Sequence, residues 1–201
     1  MEWMTHRRAC GGTSMKTEEH VEWCPEGYRG SGIAGQRIAI AGHSHWSNDP
    51  DHDGFTDECL RKVISGEWRI AFFTSIARYF GFHDQATFWS SVLFFNFLPT
   101  KAGTGDERFA YGDAGQLEAG RARVLRILDQ HQPEKLFVFS TKAWREFPPT
   151  LEDQANVEAQ PPHYWHFYIT PSGHRVRAVG LRHPQGADRE TMTEQVTRLM
   201  T

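Results

Sequence analysis

Short, unbroken apolar runs alternate with longer segments of helical spacing along most of the chain. Arg37-Ile38-Ala39-Ile40-Ala41 reads as a buried strand ended by Gly42, and Ser91-Val92-Leu93-Phe94-Phe95-Asn96 as a second. Pro99 prevents the second from running on. Lys135-Leu136-Phe137-Val138-Phe139 is a third, leading into a short helix near Lys142-Ala143-Trp144. A strand pair follows at 165–169 and 176–181, and 191–200 has the pattern of a closing helix. Helical signals lie between Phe55 and Phe80, and Leu117, Val124, Leu125 and Leu128 recur on one helical face. Strands buried on both faces and separated by amphipathic helices imply an α/β fold of three layers, αβα, around a central, mostly parallel, four-stranded sheet.

Two segments break the pattern. Residues 1–34 are polar, Gly-rich and irregular, and are expected to wrap the core as an arm, leaving 35–201 as the domain proper. Residues 148–163 are rich in proline and acid and read as a loop. No repeat or low-complexity tract is present.

Composition narrows the class. The chain of 201 residues is 39 % hydrophobic and 23 % charged, the balance of an ordinary globular protein and enough for one well-buried domain. Its sequence holds neither a membrane-length apolar run nor a signal-peptide pattern. Cys10, Cys24 and Cys59 form no CxxC pair, so a reducing, cytoplasmic setting is expected. A net charge of −3 argues against indiscriminate coating of nucleic acid. The charge is segregated, however. Residues 173–183 carry Arg175, Arg177, Arg182, His174 and His183 with no acid, whereas Asp49, Asp51, Asp53, Asp57 and Glu58 cluster.

Ligands of open α/β sheets sit outside the carboxyl ends of the strands. The segments following the strands are Gly42-His43-Ser44-His45-Trp46, Asn96, Ser140-Thr141-Lys142 and Arg182-His183-Pro184-Gln185, all polar or aromatic. In order and content they resemble the uracil-DNA glycosylase superfamily: a Gly-led loop after the first strand, an apolar strand ending in Asn, and a late His-Pro segment. The similarity spans roughly residues 35–190.

That resemblance implies an enzyme that hydrolyses the N-glycosidic bond of a damaged or modified pyrimidine-like base, leaving an abasic site, in repair or in defence against phage DNA. It implies DNA as partner, a monomer, and no cofactor. His183 would stabilise the departing base anion, and Asn96, carrying both donor and acceptor, would read the pyrimidine edge. Trp46 and next Phe55 would stack on the extruded base, with His43 beside them. Lys101, Thr141, Lys142, Arg182 and Gln185 would hold phosphates. The chain departs from the best-known branch at Ser44, where that branch has a water-activating Asp; Ser44 and His45 would hold the water, and either His45 or one acid of the Asp49–Asp53 cluster, Asp53 first among them, would take the place of that Asp.

Each position also has a plain structural reading: Asn96 as a turn cap, His183 as a loop residue, Trp46 as core, and the arginines as a solvated strand face. Two further functional readings stay open. His43-x-His45 with Asp49, Asp51, His52, Asp53 and His183 could form a metal-dependent hydrolase, although Asp49-x-Asp51-x-Asp53-Gly54 lacks the twelfth-position Glu of a calcium loop, having Leu60 there. A non-catalytic DNA-binding module that lost its acid is the other.

Overall fold

The computed structural model describes residues 19–107, 110–149 and 166–201. A short helix α1 (Glu26–Arg29) precedes β1 (Ile38–Gly42). The stretch of helical signals to Phe80 divides into α2 (Phe55–Ser65) and α3 (Ala71–Tyr79), because Gly66 ends the first in the left-handed region at φ 79°. Then follow α4 (Gln85–Trp89), β2 (Leu93–Asn96), α5 (Ala114–His131), β3 (Lys135–Val138), α6 (Thr141–Glu146), β4 (His166–Ile169), β5 (Arg175–Gly180) and α7 (Arg189–Met200).

The sheet has five strands in the order β2-β1-β3-β5-β4, one more than the four expected. β2, β1, β3 and β5 are parallel, and β4 adds to the edge antiparallel to β5. The chain steps from β1 to β2 in one direction and from β2 to β3 in the other. Right-handed crossovers therefore place their helices on opposite faces. The alternation of side chains matches this. Ile38, Ile40, Phe94, Phe137 and Val179 pack toward α2, α3, α4 and α7; Ala39, Ala41, Leu93, Phe95, Leu136 and Val138 pack toward α5 and α6.

On α5, Val124, Ile127 and Leu128 are fully buried whereas Leu125 lies 37 % exposed, so the inward stripe is rotated from the one expected. Arg123 shares that buried stripe. Its guanidinium donates to Glu19 (2.8 Å) and to the carbonyl of His20 (2.7 Å), anchoring residues 19–24 against the domain. This segment runs beside β2, with Trp23 bridging Phe94 in antiparallel fashion. Arm and domain thus share one fold from residue 19 onward. The start of the expected 165–169 strand and most of the 148–163 loop lie outside the described residues.

Candidate active site

Gly42 and Asn96, the last residues of β1 and β2, are paired across the sheet. The two chains stay together beyond them: Phe97 N donates to Gly42 O (3.0 Å), Leu98 N to His43 O (2.9 Å), and Trp46 bridges Gly103. Ser44 fastens this double loop. Its hydroxyl donates to the carbonyls of His45 (3.0 Å) and Thr100 (3.3 Å) and accepts from Ala102 N (2.9 Å). With its one proton shared between two carbonyls and a lone pair taken by Ala102 N, the hydroxyl holds the backbone of the loop.

A cavity of about 220 Å³ lies at these strand ends, among His43–Ser47, Phe55, Trp68, Phe72, Asn96 and His183. It brings together seven residues expected at the site: His43, Ser44, His45, Trp46, Phe55, Asn96 and His183. Asn96 is only 4 % exposed, and Gly42 makes room for its side chain, since a Cβ there would meet Asn96 Oδ1 at 2.4 Å.

His183 caps the short turn Pro184–Gly186, and its Nδ1 accepts the backbone N–H of Gln185 at 3.2 Å. That bond fixes the tautomer: neutral His183 carries its proton on Nε2. Burial holds its pKa below the ordinary histidine value. Phe72 packs over the ring, centroids 5.2 Å apart.

The other two histidines differ. His45 is buried with Nε2 3.0 Å from Thr56 Oγ1, and burial, then the charges of His20 and Arg123, lower its pKa to about 3. His43 is 6 % exposed, with both ring nitrogens lacking a hydrogen-bond partner among the described residues. Burial first and the Lys142 ammonium second push its pKa down to about 4, against a small opposing effect of the Ala110 and Tyr111 backbone. At neutral pH it is an uncharged ring with a lone pair to give. Trp46 Nε1 is likewise buried without a partner among the described residues.

The remaining expected residues lie elsewhere. Asp53 is exposed and does not line the cavity. Lys101 turns its ammonium to the carbonyls of Ser47 (3.1 Å) and Asp49, closing the loop. Lys142 donates to Ala110 O (2.5 Å) and sits over the Tyr111 ring. Thr141 and Arg182 share a separate groove of about 440 Å³ with the start of α7, and Gln185 is exposed beside it. The basic 173–183 stretch does not form one face. Arg175 and Arg177 line a cleft of about 680 Å³ with Glu134 and Lys135, at the amino ends of β3 and β5. This larger cleft is at the opposite end of the sheet from His183.

His43 and His45 point into different surroundings, the first toward Trp46, Phe97 and Tyr111, the second toward His20 and Phe55. Asp51 is engaged by His20 Nε2 at 2.7 Å. Among the described residues, no three His, Cys, Asp or Glu side chains are grouped to hold a metal ion. None of their helices is long and apolar enough to cross a membrane.

Phe72 and Trp68 are among the wall residues that sequence reading missed. They sit around the break between two helices, and only Gly66, followed closely by half-buried aromatics, marked that break. No protein-family model matches the chain, and no curated protein matches it.

Proposed function

We propose that this chain is a DNA glycosylase resembling the uracil-DNA glycosylase superfamily, acting as a monomer on one extruded pyrimidine. The observation that carries the reading is the meeting of Asn96, from the end of β2, and His183, from the turn after β5, in one small aromatic-walled cavity. An amide that can donate and accept, buried opposite a neutral imidazole with its N–H on Nε2, is the equipment for reading a pyrimidine edge and receiving charge on a leaving base. Trp46, Phe55 and Phe72 supply the apolar faces that an unstacked base needs.

The cavity also bears on the size of the base. Sites for drug-sized ligands occupy roughly 300–1,000 Å³. At about 220 Å³ this one suits a single small heterocycle and favours an unsubstituted or lightly substituted pyrimidine over a glucosylated one.

In the reaction, Asn96 orients the base and Nε2–H of His183 donates to its developing oxyanion as the glycosidic bond opens. The sugar cation that forms is captured by water. Ser44 is engaged by the loop and Asp53 is exposed and does not line the cavity, so His43, with its unpartnered nitrogens, is the residue that accepts a hydrogen bond from that water.

The test uses DNA carrying uracil, hydroxymethyluracil, hydroxymethylcytosine or glucosylated hydroxymethylcytosine, treated with the protein and then hot alkali, with and without EDTA. Strand cleavage that withstands EDTA and is lost in His183→Ala is expected, on one of the smaller bases. Binding without cleavage on every substrate would instead assign a DNA-binding module; cleavage abolished by EDTA would assign a metal-dependent hydrolase.

A further inference from the structure

At the other end of the sheet, Glu22 and Cys24 of the arm meet His131, 109 and 107 residues further along the chain. His131, the last residue of α5, places Nε2 2.6 Å from Glu22 Oε1 and Nδ1 3.4 Å from Cys24 Sγ. Tyr28 donates its hydroxyl to the carbonyl of His131 (2.8 Å), fixing the end of the helix. Glu22 and His131 are each only 9 % exposed, whereas Cys24 is half-buried, so it is the member of the cluster most open to solvent. The carboxylate accepts the hydrogen bond of Nε2–H and leaves Nδ1 directed at the thiol. The carboxyl end of an 18-residue helix further favours a cation there.

We propose that Cys24 is a thiolate nucleophile built into the Glu22–His131–Cys24 cluster, and that hydroperoxides are the small electrophiles it reacts with. The site is independent of the base cavity. The charges facing it come from every neighbouring element: Glu22 on the same arm, Arg29 of α1, His131 of α5, and Arg123 acting on Glu22. Burial opposes ionisation of the thiol, but the hydrogen bonds and charges of His131 and Arg29 outweigh it and hold its pKa below the ordinary value. Cys59 is the contrast, where burial pushes the thiol up to about 12. Thiolate fraction and access decide which cysteine reacts.

In the step, the sulfur of Cys24 attacks one oxygen of the hydroperoxide and the O–O bond breaks. Sulfur is oxidised by two electrons to a sulfenic acid and the peroxide is reduced. The departing hydroxide or alkoxide takes the proton from Nδ1 of the His131 imidazolium. Cys24 lines none of the three clefts described above, and a diffusible oxidant needs no cleft to hold it.

The experiment is alkylation of the full chain with iodoacetamide between pH 6.5 and 8.5, each cysteine followed by peptide mass spectrometry. A thiol of ordinary pKa, about 8.5, loses roughly 50-fold in rate over that drop. Cys24 is expected to lose clearly less than that, and His131→Gln to restore the steep fall. Treatment with hydrogen peroxide and then dimedone should tag Cys24. An ordinary profile at Cys24 in the unaltered protein, or a dimedone tag on Cys10 or Cys59 in place of Cys24, would overturn the proposal even if His131→Gln fails to fold.

Discussion

Gly42→Ala isolates the contact between the ends of β1 and β2. The added Cβ would stand 2.4 Å from Asn96 Oδ1 and 3.5 Å from Phe72 Cζ, so the amide oxygen is the atom that has to move. Reaching ordinary contact means a retreat of about 1 Å, and a misplacement of that size costs about 100-fold in rate, roughly 2.7 kcal/mol of transition-state stabilisation. Folding should suffer less. A single side-chain end turning aside lies at the lower limit of the ~1–3 kcal/mol range for overpacking. The assay is abasic-site formation by Gly42→Ala, Asn96→Ala and the double variant, with urea unfolding of each alongside. Each single change should lower kcat/KM about 100-fold, and the double change should lower it about 100-fold as well, because both remove the same interaction. Multiplicative losses near 10⁴-fold, or a Gly42→Ala enzyme as active as the unaltered one, would refute the reasoning.

Activity should depend on His183 being neutral. Burial holds its pKa below the ordinary histidine value, so kcat/KM should be flat at and above neutrality and decline with unit slope only at acidic pH; a decline already under way at pH 7.5 would contradict this. The Glu22–His131 pair gives a signed prediction for stability. His131 is raised to about 9, so its contribution is full below about 6.5 and is lost as pH rises through 9; Glu22 is lowered to about 2, so its contribution is full above about 4.5 and is lost as pH falls through 2. The stability difference between the unaltered protein and His131→Asn should therefore be greatest between about pH 4.5 and 6.5, near 2 kcal/mol for a hydrogen bond between charged groups, and should narrow on both sides in denaturant titrations. Asp113→Ala removes the reciprocal capping box with Gln116 at the start of α5 and should cost about 1 kcal/mol in the same titrations, with no change in the pH profile of activity.

The strands were legible because their signal is local. Ile38–Ala41, Leu93–Phe95 and Leu136–Val138 are apolar on both faces, and only a sheet covered by helices on both sides accommodates such segments. Since parallel strands end at one edge, the same pattern placed His43, Trp46, Asn96 and His183 together before any coordinates. What was not legible is which polar groups find one another. Lys101 and Lys142 read as free cations, yet backbone carbonyls more than 30 residues away claim their ammonium groups. Arg175 and Arg177 read as neighbours of Arg182, but β5 carries them to the opposite end of the sheet. Arg123 lies off the apolar face that periodicity picks out on its helix, yet it is buried against Glu19, and Cys24 meets His131 across 107 residues. Periodicity records only whether a residue faces a core. The partner of a polar side chain depends on strand order and helix placement, and those were set when the tertiary structure closed.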